Sequence, residues 1–320
     1  SDATILGPFA AKLLIDPNRL GEKAGGTPMP AVVTAKKMVR YLAASRKIVL
    51  EGDCIATLHK SDPNADDEHR LTAPRVTMDV VIDSNVPGDV RLDVRRFVAD
   101  AGEAPAISND PLAAPPVAVR MWRRVSGKLL GWGALDTREL QYDADPGRFT
   151  ALGPGIVWLH NEATIRSKED PNEMTLEPCY VRMSNFDTME YGSLSNRIVA
   201  DDDAQQLRID YFPLVEGRYG SQTQVVAGHI EATLQRVAEG RMDLVSLVAS
   251  QGIEYDSEAD HRNFVGSELV YDRAADLMTI RGDDTRPCNM NGVFVDQIVV
   301  NPKTGQIEAK PLTSIFPVGP

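Results

Sequence analysis

The side chains best able to do chemistry are scattered along this chain. Five histidines, His59, His69, His160, His229 and His261, lie in unrelated contexts, and none has the spacing of a zinc-binding HExxH helix. Imidazole is the commonest metal ligand, but these read as solvent-facing or turn residues. Three cysteines, Cys54, Cys179 and Cys288, form no CxxC pair, so neither a zinc knuckle nor a disulfide framework follows, and their pairing stays open. Asp62-Pro63-Asn64-Ala65-Asp66 starts like a calcium loop. However, Asp67 stands where the sharp turn needs Gly, and Ala73 where the bidentate Glu belongs, so a plain polar loop is the reading. Asp201-Asp202-Asp203 offers oxygens to a hard cation but reads better as the solvated acidic tip of a hairpin. Arg281-Gly282-Asp283 matches an adhesion tripeptide only because a repeated Gly falls there. Glycan cleavage needs two carboxylates facing each other ~5 to 9.5 Å apart, and the inward positions identified below carry none. No catalytic residue, cofactor or metal is expected, and the chain is read as not an enzyme.

One basic cluster stands out. Arg120, Arg123, Arg124 and Lys128 are interleaved with Trp122 and Trp132. Guanidinium groups pair phosphates in bidentate fashion, so this segment is a candidate phosphate-binding rim. The plainer alternative is an outward strand face with Met121 and the tryptophans packed beneath it.

These residues must be positioned by elements that composition and periodicity reveal. The 320 residues carry 34 basic and 46 acidic side chains, a net charge of −12, which opposes attraction to nucleic-acid phosphates. Apolar residues make up 42% and charged residues 25%, which excludes collagen-like, disordered and coiled-coil classes. No run reaches the ~18 apolar residues of a spanning helix. The stretch from Ala3 to Ile15 is broken by Gly7, Pro8 and Lys12 and lacks the marks of a signal peptide.

The strongest signal is a repeat. Four segments share an apolar residue, any residue, a Tyr and, eleven positions after that Tyr, a Gly: Val39, Tyr41 and Gly52; Leu140, Tyr142 and Gly153; Ile253, Tyr255 and Gly266; Leu269, Tyr271 and Gly282. The chain's content of Tyr and Gly would place fewer than one such spacing by chance. Seven and nine residues after each Tyr stand Ile48 and Leu50, Phe149 and Ala151, Arg262 and Phe264, and Met278 and Ile280. Apart from Arg262 this is period-2 alternation, which lines one face of a strand. Between the apolar pairs lie turn-forming runs such as Asp143-Ala144-Asp145-Pro146-Gly147, so each unit reads as strand, turn, strand, with Gly and Pro closing hairpins. A variant follows at Ile298-Val299-Val300, Asn301-Pro302-Lys303-Thr304-Gly305 and Gln306-Ile307-Glu308-Ala309. Helical periodicity is confined to the opening thirty residues and Ile230 to Val237.

We therefore expect an all-β protein. Its organisation is expected to be a leader or linker at 1–31, a first β block at 32–161, a connecting segment at 162–188, a second β block at 189–312 and a tail at 313–320. Polar or Pro-rich loops are expected at 61–69 and 101–116.

The motifs Ile48-Val49-Leu50-Glu51-Gly52-Asp53-Cys54-Ile55-Ala56-Thr57-Leu58, Gly266-Ser267-Glu268-Leu269-Val270-Tyr271-Asp272 and Phe294-Val295-Asp296-Gln297-Ile298-Val299-Val300-Asn301-Pro302-Lys303-Thr304-Gly305 resemble the OstA-like proteins of lipopolysaccharide transport. The resemblance spans about two thirds of the chain, and the insertions at 61–69, 101–116 and 160–187 depart from the family's compact pattern. It implies an elongated stack of antiparallel strands folded into an open β-jellyroll, or β-taco, in one or two blocks. It also implies a periplasmic location, a role in cell-envelope biogenesis and outer-membrane assembly, and no enzymatic activity. The expected ligand is the acyl portion of lipopolysaccharide or a similar lipid, held in an apolar trough. Candidate trough residues are Val39, Tyr41, Ile48, Leu50, Leu140, Tyr142, Phe149, Ile253, Tyr255, Phe264, Leu269, Tyr271, Met278 and Ile280. Expected partners are other lipopolysaccharide-transport proteins, or a second copy of the chain, joined through edge strands. A second reading is a β-repeat scaffold whose trough is filled by its own side chains and whose partner is another protein strand.

Overall fold

A computed structural model describes residues 2–15, 29–62, 65–86, 89–102, 115–162, 165–166, 174–176, 178–238, 241–259, 261–302 and 304–311. Among these residues every regular element is a β-strand. The chain divides into two compact units, Ser1–Ala163 with Thr188–Ser195, and Thr164–Asp187 with Asn196–Pro320.

The first unit contains β1 (Ala3–Leu6), β2 (Phe9–Ile15), β3 (Met29–Ala35), β4 (Met38–Leu42), β5 (Lys47–Asp62), β6 (Ala65–Val86), β7 (Asp89–Asp100), β8 (Val117–Val125), β9 (Lys128–Thr137), β10 (Glu139–Asp143) and β11 (Arg148–Asn161). Antiparallel pairing links them into two ladders. One runs β1, β4, β5, β6, β7, β10, β11. The other runs β2, β3, β5, β6, β8, β9, β11. The long strands β5, β6 and β11 belong to both, one end in each. Every rung thus supplies a segment to each of two half-sheets, joined at a corner.

The corner is written into backbone chemistry. In β5 the register jumps between Glu51, opposite Arg75, and Cys54, opposite Ala73, so Gly52 and Asp53 face the single residue Pro74. Both residues of the bulge are left-handed, at φ 84° and 44°. Such a bulge bends its strand and suits the Gly that has no β-carbon to clash. A β-carbon at Gly52 would also lie 2.5 Å from Lys37 Cβ. The repeated Gly therefore marks the corner instead of closing the hairpin, as the spacing had suggested. The hairpins are closed by four-residue turns in which Arg46, Gly147 and Asp276 take the left-handed position.

The second unit repeats the plan. Its elements are β12 (Ile165–Arg166), β13 (Met174–Leu176), β14 (Cys179–Gly192, whose last residues belong to the first unit), β15 (Arg197–Asp201), β16 (Leu207–Val215), β17 (Arg218–Tyr219), β18 (Thr223–Ala227), β19 (His229–Ala238), β20 (Arg241–Ser257), β21 (Arg262–Asp272), β22 (Leu277–Arg281), β23 (Cys288–Met290), β24 (Val293–Val295), β25 (Gln297–Val300) and β26 (Ile307–Lys310). One ladder runs β15, β19, β20, β21, β22, β25, β26. The other runs β14, β16, β18, β20, β21, β23, β24. The bulge recurs in β20 between Ser250 and Ile253, with Gln251 at φ 62° and Gly252 at φ 94°. β12 and β13 pair only with each other among the described residues.

Residues in cross-strand register share a face, so alternation along each strand becomes rows across the ladder. Val39, Leu50, Val76, Ala99, Leu140 and Ala151 form one such row in the first unit, and all are buried. Its counterpart in the second unit is Ala200, Ile230, Ala249, Leu269, Ile280 and Ile298, also buried.

Three segments differ from their sequence reading. The helical periodicity near Ile230 is β19: Ile230, Ala232 and Leu234 share one strand face by alternation, and the spacing of four between Ile230 and Leu234 fits a helical period as well. β1 and β2 occupy residues read as a leader or helix. Most of the polar run 61–69 is strand, because both neighbours, β5 and β8, extend far enough to pair with it. Residues 103–114 and the tail from 312 lie outside the described residues.

Gly52 and Gly127 test whether the corner depends on close approach. Both are left-handed, but an added β-carbon at Gly127 meets nothing within 4 Å. In urea unfolding, Gly127→Ala should cost about 1 kcal/mol, from backbone strain alone, whereas Gly52→Ala should cost about 3 kcal/mol. Equal losses would refute the role of the Lys37 contact.

Candidate functional site

The face lined by the buried rows changes character with distance from the corner. In the second ladder of the first unit, the residues beside the corner, Ala35, Cys54, Ala73, Val117 and Thr137, are all buried. The next row is Val33, Ala56, Leu71, Val119, Leu135 and Val157, half-buried apart from Val33. Beyond it come Ala31, Leu58, His69, Met121, Gly133 and Leu159. Here Met121 is 36% and Leu159 45% exposed. Gly133 has no side chain to separate them: a β-carbon there would lie 2.8 Å from Met121 Cε and 3.4 Å from Leu159 Cδ2.

One row farther out the face becomes ionic. Asp67 and Arg123 are opposed in register, with Nη1 and Oδ2 3.8 Å apart. Arg123 Nε and Asp67 Oδ1 are buried without a hydrogen-bond partner. Apart from Thr137 and His69 these rows are apolar, and the face passes from closed, through open, to charged.

The basic cluster is not gathered in one place. Alternation puts Arg123 on this face and Arg120 on the reverse. There Arg120 pairs with Asp136 at 2.5 Å and donates to the carbonyls of Val119 and Leu135. Trp122 and Trp132 share the reverse face, where Trp132 stacks on His160 at 5.7 Å. A bulge follows Arg123, and Arg124 then lies opposite Asp66, while Lys128 is exposed beside the hairpin turn.

The repeat-derived residues fall into rows. Val39, Leu50 and Leu140 take the row nearest the corner in the first unit; Tyr41, Ile48, Tyr142 and Phe149 share the next with Met78 and Phe97. Their rings contact in sequence, Phe97 to Tyr142 at 5.6 Å and Tyr142 to Phe149 at 4.6 Å. In the second unit Leu269 and Ile280 take the inner row, and Tyr271 and Met278 the next. Ile253 is buried opposite Gly266, and Tyr255 stacks on Phe264 at 5.3 Å in the other ladder. Sequence reading missed Asp67, Met121 and Leu159 as members of the face. The signal was the alternation of Leu71 continued backwards through His69 to Asp67.

The aspartate triplet is divided: Asp201 pairs with His229 at 2.6 Å, Asp202 is buried and accepts from the Gln206 amide, and the Asp203 amide donates to Asp187. Cys54 and Cys288 are buried free thiols, and burial pushes the Cys54 thiol up to about 11. Among the described residues no three or more His, Cys, Asp or Glu side chains converge as a metal site.

Among the described residues of the second unit, Asp210 is a fully buried carboxylate. Arg182 donates to Oδ2 through Nε at 2.9 Å and Nη2 at 2.6 Å, and Oδ1 accepts from Arg208 at 2.8 Å and Gln222 at 2.6 Å. Burial alone would raise this carboxyl, but the hydrogen bonds and charges of Arg208 and Arg182 outweigh it and hold it below the ordinary range.

Comparison with family models, curated proteins and solved structures finds no match to this chain. The fold and this face define its class on their own terms: an antiparallel β-ladder protein with an apolar face graded from buried to open.

Because the folded-state value of Asp210 is depressed, its contribution to stability is present above the ordinary carboxylate range and lost as pH falls through the folded value. Asp210→Asn should cost about 2 kcal/mol at neutral pH, by leaving two arginines unpaired. It should also flatten the acid limb of a plot of unfolding free energy against pH, and an unchanged limb would refute the assignment.

Proposed function

We propose that this chain is a non-enzymatic lipid-binding protein that shields acyl chains along the graded apolar face. The finer reading is an open β-jellyroll of the OstA-like kind, acting in the periplasm to carry a lipopolysaccharide-like lipid toward the outer membrane. The observation that carries it is the gradient itself. Apart from Thr137 and His69 the rows in register are apolar, while exposure rises from none at Val117 to 36% at Met121 and 45% at Leu159, and an ion pair closes the series. Covering such a surface gains ~25 cal/mol per Å² of apolar area, so a few acyl chains would be held without covalent chemistry. The charged end lies where a headgroup emerging from the apolar rows would sit. With the whole chain at −12, an anionic lipid is gripped mainly through its tails, and Arg123 is the basic residue of the cluster on the right face.

The second reading, a scaffold joined to protein partners or another copy through its edge, is favoured by β1. It pairs only with β4 among the described residues and exposes all four side chains, including Ile5 and Leu6.

Native mass spectrometry with added lipid A, alongside displacement of a fluorescent fatty acid, separates the two. Met121→Asp with Leu159→Asp should weaken both ligands about ten-fold or more, while Val215→Asp, at a site 62% exposed outside this face, should not. Absence of lipid binding to the unmodified chain would reject the carrier. Thr4→Pro should reduce assembly seen by light scattering if the edge is the working surface, and unchanged size would reject the scaffold.

A further inference from the structure

The corner line of the second unit carries a polar pocket of about 380 Å³, a volume suited to a small ligand. Its lining comes from the corners of several rungs: Gln205 between β15 and β16, Gln251 in the bulge of β20, Ser267 in β21, and Asp283, Thr285 and Arg286 between β22 and β23. Glycines clear the space. A β-carbon at Gly252 would fall 1.6 Å from Arg286 Nη1, and one at Gly228 would fall 2.8 Å from Gln251 Oε1 and 3.1 Å from Gln205 Cγ. The guanidinium thus occupies the space that a side chain at Gly252 would fill, and no other residue type would admit it.

The loop that presents Arg286 is held from within. Asp283 Oδ1 accepts from the amides of Thr285 and Arg286, each at 2.8 Å, and from the Thr285 hydroxyl at 2.7 Å; Asp283 N donates to the Arg286 carbonyl at 3.0 Å. Arg286 itself is placed by its backbone, and its guanidinium makes no hydrogen bond or ion pair with a described residue. The matching corner of the first unit differs in its cations. There Gly52 packs on Lys37, and the neighbouring cation Lys36 is paired with Asp53 at 3.0 Å.

A guanidinium that engages no described side chain recognises an oxyanion, and Asp283, the carboxylate in the lining, is taken up by the loop's own amides and the Thr285 hydroxyl. Two carboxamides, two hydroxyls and a carboxylate around it supply the mixed donors and acceptors that match vicinal hydroxyl groups. We propose that this pocket binds a saccharide bearing an oxyanion, as a sugar acid or a sugar phosphate. The site is built from second-unit corners alone and stands apart from the apolar face, so it holds whether or not that face binds lipid.

Titration calorimetry on the full chain with glucuronate, glucose 6-phosphate, glucose and inorganic phosphate tests this. Either acidic sugar should bind with a Kd of about 1 mM, and glucose and inorganic phosphate at least ten-fold more weakly. Arg286→Gln should weaken the acidic sugars ten-fold or more with an unchanged urea midpoint, and Arg286→Lys should retain part of the binding. Failure of both acidic sugars to bind, equal binding of glucose, equal binding of inorganic phosphate, or an indifferent Arg286→Gln would each overturn the proposal.

Discussion

The structure depends on a backbone constraint: every rung must bend at the same place. An antiparallel ladder keeps its register only if neighbouring strands turn the corner together, because a slip of one residue would send each row to the opposite face. The two-residue bulges at Gly52-Asp53 and Gln251-Gly252 meet this demand with left-handed residues set against a shorter neighbour. Once the corner is set, long strands such as β5, β6 and β20 serve two half-sheets at once, and period-2 alternation becomes continuous rows of side chains.

Those rows explain how a chain with unremarkable composition produces a graded face. Small residues, Ala99, Ala151, Ala200, Ala227 and Ala249, crowd the corner and are fully buried. Larger side chains occupy the rows beyond, where Tyr142 and Phe149 pack ring to ring. In the second ladder of the first unit, Asp67 and Arg123 bring charge to the far end of the face, and Arg120 and Asp136 pair on the reverse. The same line of corners builds a second kind of surface. At one corner Lys36 is paired with Asp53; at the other Arg286 rests on Gly252 beside a polar pocket.

Much of this was legible in the residues. The Tyr-to-Gly frame located the hairpins and placed Val39, Leu50, Leu269 and Ile280 on buried rows. It misassigned the Gly, because a positive-φ glycine serves a bulge as readily as a turn and only the pairing partner distinguishes them. It misread β19 because residues four apart, such as Ile230 and Leu234, share a face in a strand as they do in a helix. It missed Asp67 because a charged residue in a polar run looks like a loop until a strand is seen beside it. Arg120 and Arg123 looked like one cluster, since proximity in sequence says nothing about which side of a sheet each side chain takes.

The all-β class, the hairpin spacing and the apolar character of the rows are local properties, determined by the sequence itself through alternation and turn chemistry. Register between distant strands, the face on which each charge falls and the meeting of Gln205, Gln251 and Arg286 at one pocket were decided only by the tertiary structure. Each depends on cross-strand hydrogen bonding between segments far apart in the chain, and no spacing within a single segment encodes it.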